Sequence, residues 1–250
     1  MRLILIFFLF LSSCSSKKDI LLLQDSKSTV DYNFNFKNIK IQPDDILRIK
    51  ISPKSASLAS LYNENQILTS SADIMAYKIQ GYLVNSDGYV NLPVLNPILV
   101  KDLTLDEAST KIQKLLQDED VIKNASVDIK LLNSYFTVLG EVNSPGRYSF
   151  IENNMDIFQA LGIAGDLTIN GLRDNVRVIS KYNGKTVVNS LDLTSTNLLQ
   201  SENFQIFPGD IIIVNANSAR VKNAGVVGNF GNLLSVMSFI LSSVILITNN

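Results

Sequence analysis

The residues that could do chemistry are few in this chain of 250, and most are carboxylates. Asp44-Asp45, Asp73 and Asp87 are the candidates for a pair of acids working across a glycosidic bond, which needs two carboxyl groups roughly 5 to 9 Å apart. Turn chemistry already accounts for most of these positions. Histidine is absent, so the ordinary general base is missing. Cys14 is the only thiol, and without histidine it leaves no soft metal site of the usual kinds. No catalytic residue, metal or cofactor is expected, and the composition argues against an enzyme. Lys plus Arg is 22 and Asp plus Glu is 23, so no strong field attracts nucleic acid.

The chemistry that Cys14 can take part in is set by what precedes it. Met1-Arg2 begins the chain, Leu3 to Leu11 is an unbroken apolar run, and Ser12-Ser13 lead into the cysteine. Nine residues cannot cross a bilayer as a helix, which takes about 20, but they suit the core of a secretory signal. Residues 1–13 are therefore read as a lipoprotein signal peptide. Cys14 has no disulfide partner in the chain and is read as the acceptor of a covalent lipid. Ser15 follows it, without an aspartate to retain the protein at an inner membrane, which favours the outer membrane. Residues 14–38 are expected to be the lipidated tether, able to pair in part with a later strand.

At the other end, Val226 to Thr248 carries no charge. As a helix it would reach roughly 34 Å, enough for a hydrocarbon core. Residues 225–250 are therefore expected to be a C-terminal membrane helix, joined by a linker over 216–224. At 100° per residue, Gly228, Gly231, Ser235, Ser238 and Ser242 share one side. That stripe could pack on a neighbouring helix or face a wet lumen.

Between the ends, the pattern indicates α+β architecture. Ile41 to Lys50 reads as a turn at Pro43 and Asp44-Asp45 followed by an alternating strand, and Ile206 to Asn215 repeats it with Ile, Pro, Asp and Ile at matching places. Tyr77 to Val84 and Tyr89 to Pro93 are short strands across Asp87-Gly88, a hairpin turn signal. Thr104 and Glu107 form a capping box before an amphipathic helix bearing Leu105, Ala108, Ile112, Leu115 and Leu116. Asp106 and Glu107 are thus dipole and cap residues, and Asp118 to Asp120 a solvated helix end. Ala125 to Leu132 and Tyr135 to Val142 read as strands around Asn133-Ser134. Asn154 can cap a short helix over Asp156 to Ala164 that Gly165 stops. Val176 to Lys181 and Lys185 to Leu191 form a hairpin across Asn183-Gly184.

Three stretches, residues 41–51, 81–95 and 100–116, resemble the export domain of the bacterial outer-membrane polysaccharide export family. Those proteins are auxiliary lipoproteins that carry capsule or exopolysaccharide across the outer membrane. VLGEVNSPGRYSF (138–150), MDIFQALGIAGDLT (155–168) and FPGDIIIVN (207–215) resemble the family's soluble ligand-binding β-grasp module. The resemblance implies a small β-rich export domain over 39–133 and a β-grasp, ubiquitin-like domain over 134–215. Asn96 and Asp102 stand where the family pattern has glycine; both types tolerate left-handed backbone. The resemblance further implies a homo-oligomeric ring that passes polysaccharide, fed by an inner-membrane polysaccharide co-polymerase, with the soluble part in the periplasm. A periplasmic adapter or glycan-binding lipoprotein that forms no pore is the alternative.

Overall fold

A computed structural model of the chain describes residues 20–26, 34–52, 81–93, 95–119, 121–122, 125–182, 184–223 and 230–248. Its α+β architecture rests on two separate hydrophobic cores.

The first core forms because its strands alternate. In β1 (Ile46–Ser52), Leu47, Ile49 and Ile51 are buried while Arg48 and Lys50 turn outwards; in β5 (Ser126–Leu131), Val127, Ile129 and Leu131 do the same. The two pair antiparallel with Leu47 opposite Leu131, and β2 (Tyr82–Leu83) adds to the other edge of β1. A short ladder of β3 (Tyr89–Val90) and β4 (Ile98–Leu99) stands beside this sheet. Helix α1 (Leu105–Asp118) closes the core with Ala108, Ile112 and Leu116, four residues apart and wholly buried. Its capping box is complete: Glu107 N donates to Thr104 Oγ1 at 3.2 Å and Thr104 N to Glu107 Oε2 at 2.8 Å.

The second core lies between a five-stranded sheet and a short helix. The sheet order is β10-β9-β12-β6-β7, built from β6 (Tyr135–Gly140), β7 (Gly146–Ser149), β9 (Gly171–Tyr182), β10 (Lys185–Leu191) and β12 (Ile211–Ala216). Only β12 and β6 run parallel. Helix α2 (Ile157–Ile163) covers one face through Ile157, Ala160 and Leu161. A ladder of β8 (Met155–Asp156) and β11 (Gln205–Ile206) leads into it. Gly140 is obligatory, since its φ is +93° and a Cβ there would stand 2.0 Å from the Val214 carbonyl oxygen.

Several expectations are amended. The Asp87-Gly88 turn exists, with Gly88 N donating to Asn85 O, but its flanking strands join different partners: β2 pairs with β1 and β3 with β4. The Tyr77 side of that expected strand lies outside the described residues. The strands either side of Asn133-Ser134 likewise part company, one to each core. Asp156, not Asn154, caps α2 in a second capping box with Gln159, because Met155 and Asp156 are still extended in their ladder. Asp102 is left-handed, with φ +64°, while Asn96 is not.

The expected C-terminal membrane helix is the main correction. Among the described residues, no helix is long and apolar enough to cross a membrane. After the short α3 (Ser218–Asn223), α4 spans Phe230–Thr248, and residues 225–229 of the expected helix lie outside the described residues. Its 19 residues would reach roughly 28 Å, and a glycine and an asparagine in its first turn shorten the apolar part further.

Candidate functional site

Of the carboxylates that could have done acid–base work, the described ones, Asp44, Asp45 and Asp87, are each held in a turn. Asp44 adopts a left-handed φ of +70° directly after Pro43. Asp45 then folds back, its Oδ2 accepting from Gln42 N at 2.8 Å, while its own N–H donates to Gln42 O. Burial pushes the Asp45 carboxyl up to about 6 against the pull of that hydrogen bond, and the Asp44 charge adds to the rise. Asp87 sits in the Asn85–Gly88 turn, its N–H donating to Asn85 Oδ1. Asp73 lies outside the described residues.

The late copy of this turn is built with the same bonds. Asp210 Oδ2 accepts from Phe207 N at 2.9 Å, Asp210 N donates to Phe207 O, and Gly209 supplies the left-handed residue at φ +88°. Asp210 is 2% exposed, and burial raises its carboxyl to about 6 as well. Sequence comparison of the two decapeptides matched these residues without revealing that the second carboxyl is buried. The two turns start β1 and β12, one in each core, so they position strands rather than meet over a substrate. Among the described residues, no group of three or more His, Cys, Asp and Glu side chains could hold a metal ion.

Cys14 and Gly228 lie outside the described residues. Gly231, Ser235, Ser238 and Ser242 are on α4 and exposed. Ser235 Oγ donates to the carbonyl of Gly231 at 2.9 Å, the back-bonding habit of a helical serine. The opposite sides of α4 are exposed too, including Leu234, Met237, Phe239 and Ile245, so no described neighbour distinguishes the stripe from the rest of the helix.

Sequence reasoning missed two features. The first is the extent to which the segment read as a tether docks, beyond the partial pairing with a later strand that its sequence suggested. Leu23 N and Gln24 N donate to the carbonyls of Leu193 and Thr194, and Asp25 Oδ1 accepts from Thr196 N at 2.7 Å. That last bond holds the Asp25 carboxyl below the usual range. Farther on, Phe34 meets Phe204 edge to face at 5.0 Å. Lys37 N donates to Gln205 Oε1 at 2.7 Å and Gln205 Nε2 returns the bond to Lys37 O at 2.8 Å. The chain then enters the first core at Ile39 and Ile41. Only two main-chain bonds and scattered side chains make the first contact, so no periodicity marks it.

The second is the outer face of the five-stranded sheet. Strand alternation that buries Val138, Val178, Ile212 and Val214 turns Leu139, Ile179, Ile211 and Ile213 the other way. Ile179 faces Ile211 and Val188 in register, and Ile213 faces Leu139 and Arg177. None of these outer residues packs against either core. The Arg147 guanidinium lies 3.4 Å from the centre of the Tyr135 ring at one edge. The run FPGDIIIVN carried the signal, because apolar residues at consecutive positions of a strand load both faces.

Two likenesses to known proteins overlie this geometry. Residues 35–132 match the family described as polysaccharide biosynthesis/export protein, the stretch that contains the first core. The EPS I polysaccharide export outer membrane protein EpsA of Ralstonia solanacearum is 27% identical over 139 residues, covering 54% of this chain and 36% of that protein. The chain thus spans about a third of the length of that relative.

Proposed function

From the premise that over residues 35–132 the chain is a polysaccharide export family protein, we propose that it is a subunit of an envelope assembly that moves capsular or extracellular polysaccharide outwards. The observation that carries the reading is the coincidence of the family match with one complete core, from Ile41 through α1 to Leu131. The subunits form a homo-oligomeric ring around the polymer, since a single small chain cannot enclose one. A lipid on Cys14 holds the ring at the outer membrane, with the two cores in the periplasm. An inner-membrane polysaccharide co-polymerase supplies polymer and drive, and no covalent step is required of this chain.

A second reading is a periplasmic adapter that gates or docks on a separate outer-membrane conduit. It is favoured by α4, which falls short of a membrane span. The test is polysaccharide partitioning in a strain lacking the gene and complemented with the full chain or with a chain stopped before Gly225. The proposal expects the deletion to lose surface polymer and retain it inside, and the full chain to restore export. Unchanged surface polymer in the deletion strain refutes both readings. Full export by the shortened chain favours the adapter.

A further inference from the structure

The outer sheet face of the second core is apolar, basic at its margins and covered by none of the described residues. Leu139 is 44% and Val188 56% exposed there, and Arg147, Arg177 and Lys181 flank the isoleucines. Arg177 carries a specific deficit: its Nη2 donates to Asn215 Oδ1 at 3.1 Å, but its Nε is buried without an acceptor. A buried N–H of this kind calls for a partner.

The far side of the same core presents a complementary surface. Glu152, Met155, Gln159, Gly162 and Ile163 line a shallow groove along α2. Ile151 and Ile163 stand 67% and 48% exposed beside it. Gly162 lies inside α2, has no left-handed φ, and a Cβ there would meet nothing within 4 Å. A glycine in a helix costs up to about 0.5–1 kcal/mol relative to alanine, and nothing among the described residues requires it in the last turn of α2. Close approach by another molecule accounts for it.

We propose that the outer face of the β10-β9-β12-β6-β7 sheet receives the α2 groove of a second copy of this chain, in a head-to-tail contact. The groove brings apolar side chains to an apolar sheet and the exposed Glu152 carboxylate to a basic rim of Arg147, Arg177 and Lys181. Because α2 covers the inner face of that sheet, the two contacting surfaces are on opposite sides of the core. Such a contact is heterologous and propagates until the rotation closes a ring. The proposal rests on the oligomeric reading above and names its contact surfaces.

The test uses the full chain extracted in mild detergent, with mass read by light scattering. Gly162→Phe lays a ring along the groove from a position where the Cβ meets nothing within 4 Å, so the assembled mass is lost while the circular dichroism stays that of the parent. Gly162→Ala weakens the assembly by a smaller factor, because its single methyl intrudes less on the approach. In a Cys14→Ser background, Ile163→Cys with Ile213→Cys oxidises to a ladder of trimers and higher species, and each single cysteine gives none. A parent that is monomeric throughout overturns the oligomeric reading and this inference together. An oligomer that survives Gly162→Phe, or that cross-links only as dimers through Ile213→Cys alone, overturns this inference and leaves the oligomer standing.

Discussion

Replacing Asp210 by asparagine isolates the electrostatic consequence of the second turn. The folded carboxyl titrates at about 6 against an ordinary 3.8, because burial penalises its charged form. The native state therefore binds more protons than the unfolded chain between those values, and stability falls as pH rises through that window. At 1.36 kcal/mol per pKa unit the ionised carboxyl costs about 3 kcal/mol above pH 6. Asparagine resembles the protonated acid: its Oδ1 can still accept from Phe207 N, and it never charges. Asp210→Asn should match the parent near pH 4 and exceed it by about 1–3 kcal/mol at pH 8. Urea midpoints at pH 4, 6 and 8 measure the difference between the two proteins. Taking the difference cancels carboxylates shifted the other way, such as Glu107 and Asp25. An asparagine variant less stable than the parent at pH 8, or a gap independent of pH, refutes the claim that Asp210 is held against its preference for neutrality.

Gln205→Ala removes both bonds to the Lys37 main chain and should cost about 1–3 kcal/mol. Faster hydrogen exchange at the Lys37 amide, with the first core unchanged, is the accompanying signature. Thr104→Ala breaks one half of the α1 capping box and should cost about 1 kcal/mol in urea unfolding. Gly140→Ala forces a Cβ against the Val214 carbonyl at a left-handed φ, so the protein should be recovered insoluble or with the near-ultraviolet signal of the second core lost. By contrast Gly162→Ala should raise the urea midpoint, by up to about 0.5–1 kcal/mol, because it relieves the last turn of α2 of a glycine at no steric cost.

Local signals in the sequence translated directly into structure wherever a single element satisfied them. The alternation of β1, the Thr104–Glu107 box and the pairing of β9 with β10 across Gly184 are of this kind. What the sequence could not carry was pairing between distant segments. Asp87-Gly88 and Asn133-Ser134 mark reversals of the chain, yet the pairing of Leu47 with Leu131 draws β5 away from β6 and into the first sheet. Asn133 instead serves that sheet's corner, accepting from Ile46 N and donating to Asp44 O. The cap of α2 moved from Asn154 to Asp156 for the same reason, since Gln205 and Ile206 hold the preceding residues extended. Of the candidate site, the turn aspartates were legible as turn residues. The burial of Asp210 and the open sheet face were not, because both depend on which strands flank β12.

The course of the N-terminal segment decides what an anchor at Cys14 holds. Leu23 is nine residues beyond Cys14, a span of at most about 32 Å. Leu23 and Gln24 bond to Leu193 and Thr194 at one corner of the second core. On the lipoprotein reading, that corner is therefore kept within about 32 Å of the anchored residue whatever the shape of the intervening chain. A pull on the anchor passes first into the second core, through Asp25 on Thr196 and Phe34 on Phe204, before it reaches Ile39 and the first. The family-matched core is thus linked to the anchor by way of the second, through Lys37 and Gln205, and a ring assembled through the second core would place its contacts in the unit that bears the anchor.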